Sequence, residues 1–244
     1  VLRKAIRQVE FAAASDDTRP VLTGVHALIE GDRLTFAASD GFRLSVKYVP
    51  LSTPISERLE MVIPAAALRE LARLVAEEDE PIEFIANPAR GEVRFHLKNL
   101  QMMSKLIQGT FPDYSRFIPK SYATRVVVSA TDLRQAIRST AVFARDGAGI
   151  VRLQVTPGGE LGPGRLTISA RAEEAGENVV ELDVAVEGQE AKIAFNNKYL
   201  QDVLNEIDAE QVAIQTETPS SPGVFVPTGR DDYTHVVMPM FVQW

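Results

Sequence analysis

The hexamer LRKAIR at residues 2–7 returns as LRQAIR at residues 133–138, and this return is not isolated. GDRLTF (31–36) finds GPGRLTI (162–168), which aligns Arg33, Leu34 and Thr35 with Arg165, Leu166 and Thr167. Leu68, in one helix-like stretch, aligns with Leu200 in another. The offset is 131 or 132 residues each time. Three matches in one order and one register point to a duplicated domain, so whatever fold the first half adopts the second must adopt too. The 244 residues suit two cores of ordinary size, and 45% hydrophobic with 24% charged residues is globular rather than disordered composition.

The second copy reads most clearly. RVVVSA (125–130) is a strand by its β-branched run, and TDLRQAIRSTAVFA (131–144) is a helix whose apolar stripe holds Leu133, Ile137 and Ala141. Ser129, Thr131 and Asp132 offer N-cap chemistry at its start. Three strands follow, at 150–156, 165–171 and 177–186. The pattern then restarts with a strand at 190–195, a helix NNKYLQDVLNEI (196–207), and strands at 211–217, 223–228 and 235–240. Each domain is thus an α+β arrangement with β-α-β-β-β written twice.

The first copy follows the same plan, with strands at 24–30, 33–39, 43–49 and 60–64, a helix at 64–78, and strands at 82–86, 93–97 and 102–107. Pro64 is expected in the first turn of that helix. The plan asks for a strand before the helix at Leu2, and the sequence starts at Val1. The expectation is a first domain over 1–120 that lacks its first strand, a second domain over 121–244, and a truncated chain. GTFPDYSRFIPK (109–120), with its prolines, aromatics and cations, reads either as an ordered connector or as one wall of a groove.

Chemistry is constrained by what the chain lacks. There is no cysteine, which excludes a disulfide framework and thiol catalysis, and three scattered histidines (His26, His96 and His235) argue against a metal site. No apolar run approaches the length of a membrane span and no leader is visible, which fits the cytoplasm. SDD (15–17) and RDD (230–232) hold paired carboxylates without a histidine or a third spaced acid, so they read as loop caps. A hydrolase built on them would need both to converge in one pocket. No phosphate-binding glycine loop and no nucleophile elbow is present. The reading is no enzyme, no cofactor and no metal.

Two features remain. The predicted helices repeat a pair of cations spaced i, i+4: Arg3 and Arg7, Arg69 and Arg73, Arg134 and Arg138, with only Lys198 on the fourth. Ordinary solvated charge explains any one pair, but recurrence on duplicated units suggests a basic face for a phosphate backbone read without sequence preference. Glu70, Glu77, Glu78, Asp202 and Glu206 dilute it, as does the net charge of −7, so binding is expected to be weak. The second feature is the end of the chain, HVVMPMFVQW (235–244), almost wholly apolar where termini are usually polar.

Five stretches, TRPVLTGV, ASDGFRLSV, GTFPDYSRFIPK, FNNKYLQDVLN and YTHVVMPM, resemble in order those of the bacterial sliding clamp family, the beta subunit of DNA polymerase III. The resemblance covers the whole chain and is to the family's second and third domains. It implies the DNA-clamp fold, with helices on the inner face and antiparallel sheets outside, and a processivity factor that forms a head-to-tail homodimer ring around duplex DNA. It also implies a hydrophobic cleft between the domains that receives short linear motifs from the polymerase III alpha subunit, the clamp loader and other clamp-binding proteins.

Carried over by motif, the cleft positions are Leu22; Gly41, Phe42, Arg43 and Leu44; Pro112, Arg116 and Phe117; Asn196 and Tyr199; and Val236, Met238, Pro239 and Met240. Methionines adapt to varied apolar side chains, and the two arginines are expected to hold a peptide's polar ends. The cations Arg3, Arg7, Arg69, Arg73, Arg134, Arg138 and Lys198 are expected to face DNA. Phe241 to Trp244 run past the point where the family commonly stops, and are candidates to cap the cleft. The rival reading is a peptide-binding scaffold that does not act on DNA.

Overall fold

The computed structural model describes every residue except 76–80, 147, 160–161 and 173–175. Its contacts divide the chain into two units, Val1–Asp113 and Tyr114–Trp244. The aromatic connector is therefore shared, with Phe111 and Pro112 in the first unit and Tyr114–Phe117 forming a 3-10 turn in the second.

In the first unit α1 (Leu2–Glu10) precedes two long strands, β1 (Gly24–Ser39) and β2 (Arg43–Pro64). Each of these absorbs two of the strands expected from sequence. Gly24–Ile29 pairs with Pro64–Leu59, and Arg33–Ser39 pairs with Pro50–Leu44, with the register shifting on either side of Gly31. Gly31 sits at φ +60 inside the exposed stretch Glu30–Arg33, so the expected break is real but is made by one left-handed residue. α2 (Ala65–Leu74) follows, then a separate three-stranded sheet of β3 (Glu83–Asn87), β4 (Glu92–Leu97) and β5 (Leu100–Lys105).

Pro64 is the N-cap of α2, with extended ψ of 130, rather than a residue of its first turn. Residues 76–78 of the expected helix, including Glu77 and Glu78, lie outside the described residues. β5 ends at Lys105 instead of continuing through Ile107. Beyond it the amide of Leu106 donates to Gly91 O and that of Ile107 to Val62 O, both at 2.9 Å. Burial drives the assembly. Ile6, Phe36, Ile63, Leu68, Leu71 and Phe95 are fully enclosed in one core shared by both helices and both sheets.

The second unit runs β6 (Thr124–Ser129), α3 (Ala130–Asp146), β7 (Ile150–Thr156), β8 (Gly164–Ala172), β9 (Gly176–Gly188), β10 (Ala191–Asn196), α4 (Asn197–Glu206), β11 (Gln211–Thr216), β12 (Gly223–Pro227) and β13 (Tyr233–Val237). These strands are wholly antiparallel, in the order β13-β12-β11-β6-β9-β8-β7-β10. β9 links the two halves, pairing with β8 over Gly176–Val184 and with β6 over Ala185–Gly188.

Period-two burial on β7 and β8 turns the apolar residues toward α3 and the polar ones away. Leu200 is 1% exposed, in the place Leu68 holds in the first unit at 0%. The last strand stops at Val237, short of the expected Met240. Pro239 has no amide to donate, and the amide of Met240 donates instead to Ala194 O of β10, at 2.7 Å. No helix of the described residues is long and apolar enough to cross a membrane.

Candidate functional site

In the first unit a short turn and a hairpin loop are fastened together. Leu22 lies in the 3-10 turn Pro20–Thr23, started by Pro20 and held by its amide donating to Arg19 O (2.9 Å) and by Ala14 N–H donating to Leu22 O (2.8 Å). The hairpin loop is organised by Asp40. One carboxylate oxygen accepts from the amides of Phe42 (2.9 Å) and Arg43 (3.0 Å), and the other accepts from Arg43 Nε (3.0 Å). Gly41 takes φ +92, and a Cβ there would come within 2.7 Å of Arg19 Nη1. Arg19 Nη2 donates to Asp40 O at 2.7 Å and so ties the Leu22 turn to the loop.

This arrangement gives the carried-over positions different parts. Leu44 and Leu22 are both buried, while Phe42 stands 59% exposed at the loop tip. Arg43 is 8% exposed. Its Nη2 donates to Phe11 O (2.8 Å) and its guanidinium lies 5.3 Å from the Phe11 ring centroid. It ties the loop to the end of α1 and displays Phe42, rather than standing open to a ligand's polar end. Phe111, just before Pro112, is buried with its ring stacked on His26 at 5.2 Å, and His26 Nε2 lies 2.9 Å from Glu60 Oε1. That hydrogen bond holds the Glu60 carboxyl below its ordinary range, helped by Arg58.

In the second unit Asn196 N-caps α4, its side-chain oxygen accepting from Lys198 N–H at 2.9 Å, with Tyr199 half-buried on the first turn. The Met240 bond to Ala194 lays the Met-Pro-Met segment along the edge of β10, two residues from that cap. Val236 is buried, Met238 is 41% exposed, and Pro239 and Met240 are half-buried. Arg116 is exposed, as is Phe117 at 58%. Phe241 is 86% exposed, and Trp244 turns toward Lys192, whose Nζ is 5.9 Å from the indole centroid.

The helix cations lie on faces turned from the core, as the spacing predicts, but most are engaged. Arg69 donates to Glu10 Oε2 of the neighbouring helix at 2.6 Å, which pushes its pKa up. Arg73 pairs with Glu70 at 2.6 Å on its own helix, and Lys198 with Asp202 at 2.7 Å. Arg134 is half-buried and donates to Leu204 O (2.9 Å) and Ile207 O (3.4 Å), covering the carbonyl end of α4. Arg138 donates to Asn205 Oδ1 at 3.0 Å. Arg3 and Arg7 are exposed on α1. Of the acids expected to cap loops, Asp16 does so, accepting from the amide and hydroxyl of Thr18, whereas Asp232 pairs with the side chain of Arg230. No cluster of metal-ligating side chains occurs among the described residues.

Sequence reasoning missed Arg19 and Asp40, the pair that joins turn to loop. The available signal was an aspartate ahead of a glycine between two apolar strands, a turn signature whose carboxylate needs amide partners.

Comparison with known proteins agrees with the resemblance. Residues 1–113 match the family model described as DNA polymerase III beta subunit, central domain, and residues 115–241 match the C-terminal domain of the same subunit. The chain is 33% identical over 241 residues to a beta sliding clamp of Staphylococcus epidermidis and 32% to that of Staphylococcus aureus. In both cases the alignment covers 98% of this chain and 62% of the relative.

Among solved structures, the DNA polymerase sliding clamp of Bacillus subtilis superposes with a TM-score of 0.93 at 27% identity, covering 99% of this chain and 62% of that one. The Pseudomonas aeruginosa clamp gives 0.90 at 32%, covering 99% and 64%. With consecutive domain models accounting for almost all its residues and clamp structures for its fold, the chain belongs to the DNA polymerase III beta subunit family.

Proposed function

We propose that this chain contributes the middle and last domains of a sliding clamp, a non-catalytic processivity factor of the replicative DNA polymerase that works in the cytoplasm. The observation that carries the reading is the match of both halves, in order, to the central and C-terminal beta-subunit domains. The mechanism is topological. A closed ring, assembled by clamps of full length as head-to-tail homodimers, cannot fall off duplex DNA, so its contacts with phosphate need only be weak enough to slide. The helix faces suit this. Arg3, Arg7, Arg69, Arg73, Arg134, Arg138 and Lys198 face the duplex, and the ion pairs of Arg69, Arg73 and Lys198 moderate their field.

The docking cleft takes Leu22, Gly41, Phe42, Leu44 and Pro112 from the first unit. From the second it takes Arg116, Phe117, Asn196, Tyr199, Val236, Met238, Pro239 and Met240, with Arg43 as the buried brace of the loop. Its ligands are short motifs of the polymerase alpha subunit, the clamp loader and other clamp-binding proteins. The test is titration of the chain with a Gln-x-x-Leu-Phe peptide. Binding in the micromolar range, weakened at least tenfold (about 1.4 kcal/mol) by Phe42→Ala or Met238→Ala, is expected. Phe42 is 59% and Met238 41% exposed, and neither belongs to a buried core, so truncation leaves the fold intact. A flat titration at millimolar peptide would overturn the docking cleft.

A further inference from the structure

The sheet face of the second unit turned away from α3 carries polar and charged side chains that none of the contacts proposed above includes. Val151, Leu153 and Val155 of β7 are buried toward the helix, so Arg152 and Gln154 point to the opposite side. On β8 the same alternation buries Leu166, Ile168 and Ala170 and turns Thr167, Ser169 and Arg171 outward. Register sets Arg152 beside Ser169, Gln154 beside Thr167, and Arg171 beside Glu177 of β9. The end of the chain supplies the remaining wall. Past the Met240 bond to β10, Gln243 and Trp244 reach this face, with Lys192 near the indole. Together they line a hollow of about 290 Å³.

What distinguishes the hollow is its unspent charge. Arg69, Arg73, Arg94, Arg165 and Arg230 each hold a carboxylate within 3.1 Å. Among the described residues, Arg152 and Arg171 make no ion pair and no side-chain hydrogen bond. Two guanidinium groups without a carboxylate partner among the described residues, beside two hydroxyls, are the complement of a phosphate, although Glu190 accepts from Gln154 at 3.3 Å on the same face. The indole, 51% exposed at the rim, adds a stacking surface that an acidic peptide does not need and an unpaired base does.

We propose that this hollow binds single-stranded nucleic acid, with one phosphate between Arg152 and Arg171 near Ser169 and Thr167, and an adjacent base on Trp244. Duplex is disfavoured, because its bases are already stacked. Glu177 at the rim opposes the anion and keeps the affinity modest. The site is independent of the helix faces proposed to meet duplex DNA.

Trp244 is the only tryptophan in the sequence, so its fluorescence reports the site directly. Titrating the whole chain with a short oligothymidylate should quench it saturably, and less so as salt rises. Arg152→Ala and Arg171→Ala should each weaken binding about tenfold, as loss of one charge-assisted contact does. Glu177→Gln should tighten it, and Arg90→Glu, in the exposed 3-10 turn Pro88–Arg90 of the first unit, should leave it unchanged. Quenching by a polyglutamate peptide equal to that by the oligonucleotide would overturn the nucleic-acid assignment in favour of an acidic partner. Absence of quenching at millimolar oligonucleotide, or quenching indifferent to both arginine variants in proteins with unchanged circular dichroism, would overturn the site itself.

Discussion

Asp40 and Arg43 show how much a loop can depend on one buried ion pair. Their side chains are 15% and 7% exposed, so removing either charge leaves the other desolvated and unpaired. Arg43→Ala is expected to cost about 3 kcal/mol in chemical denaturation, well above the loss for an exposed pair such as Arg73 with Glu70. Gly41→Ala acts through the backbone. At φ +92 a side chain costs about 1–2 kcal/mol, and it also pushes Arg19 off the Asp40 carbonyl. Peptide affinity should fall with stability in that variant, whereas Phe42→Ala should lower affinity alone.

Glu60 provides a pH-dependent counterpart. Its carboxyl is held below the ordinary value of 4.5, first by the hydrogen bond to His26 and then by Arg58. A depressed folded-state pKa means the unfolded chain binds the proton more readily. The stabilisation is therefore fully present above the unfolded value and is lost as pH falls through the carboxylate range. Glu60 is 41% exposed, so the effect should be about 1 kcal/mol or less. Comparing Glu60→Gln with the parent protein in urea at pH 7 and near pH 4 tests this. The difference should shrink at the lower pH, and a difference constant with pH would remove the assignment.

At the scale of elements, the repeat allows one helix to forecast another. Leu68 on α2 and Leu200 on α4 are both enclosed, so Leu68→Ala and Leu200→Ala should each cost about 2–5 kcal/mol by denaturant titration. All four helices were legible in the sequence, because their apolar stripes recur every three or four residues and that period is local. Strand ends were less so. Gly31 supplies a break without ending β1, and β13 ends where the Met240 amide finds Ala194, a residue 46 positions earlier. The helix cations lie on faces turned from the core, as their spacing implied, but their partners were not foreseen. Glu10 lies 59 residues from Arg69, and the α4 carbonyls about 70 from Arg134.

For the whole molecule, a net charge of −7 and largely paired helix cations imply that linear duplex DNA is held poorly. Dissociation constants of about 10⁻⁴ M or weaker are expected at physiological salt, steepening as salt is lowered. Fluorescence anisotropy of a labelled duplex checks this, and tight salt-insensitive binding would contradict a sliding mode.

Duplication, the α+β class, the helix faces and the apolar end were all determined by the sequence alone, since each rests on a pattern within a few neighbouring residues or on the copying of that pattern. Only the tertiary structure decided which charges are spent. It buried Arg43 as a brace, recruited Arg19 and Asp40 to join turn and loop, and set Arg152 and Arg171 in one hollow with Trp244, without an ion pair among the described residues. A side chain's electrostatic role depends on what packing brings within about 4 Å of it, and no local pattern in the chain encodes that distance.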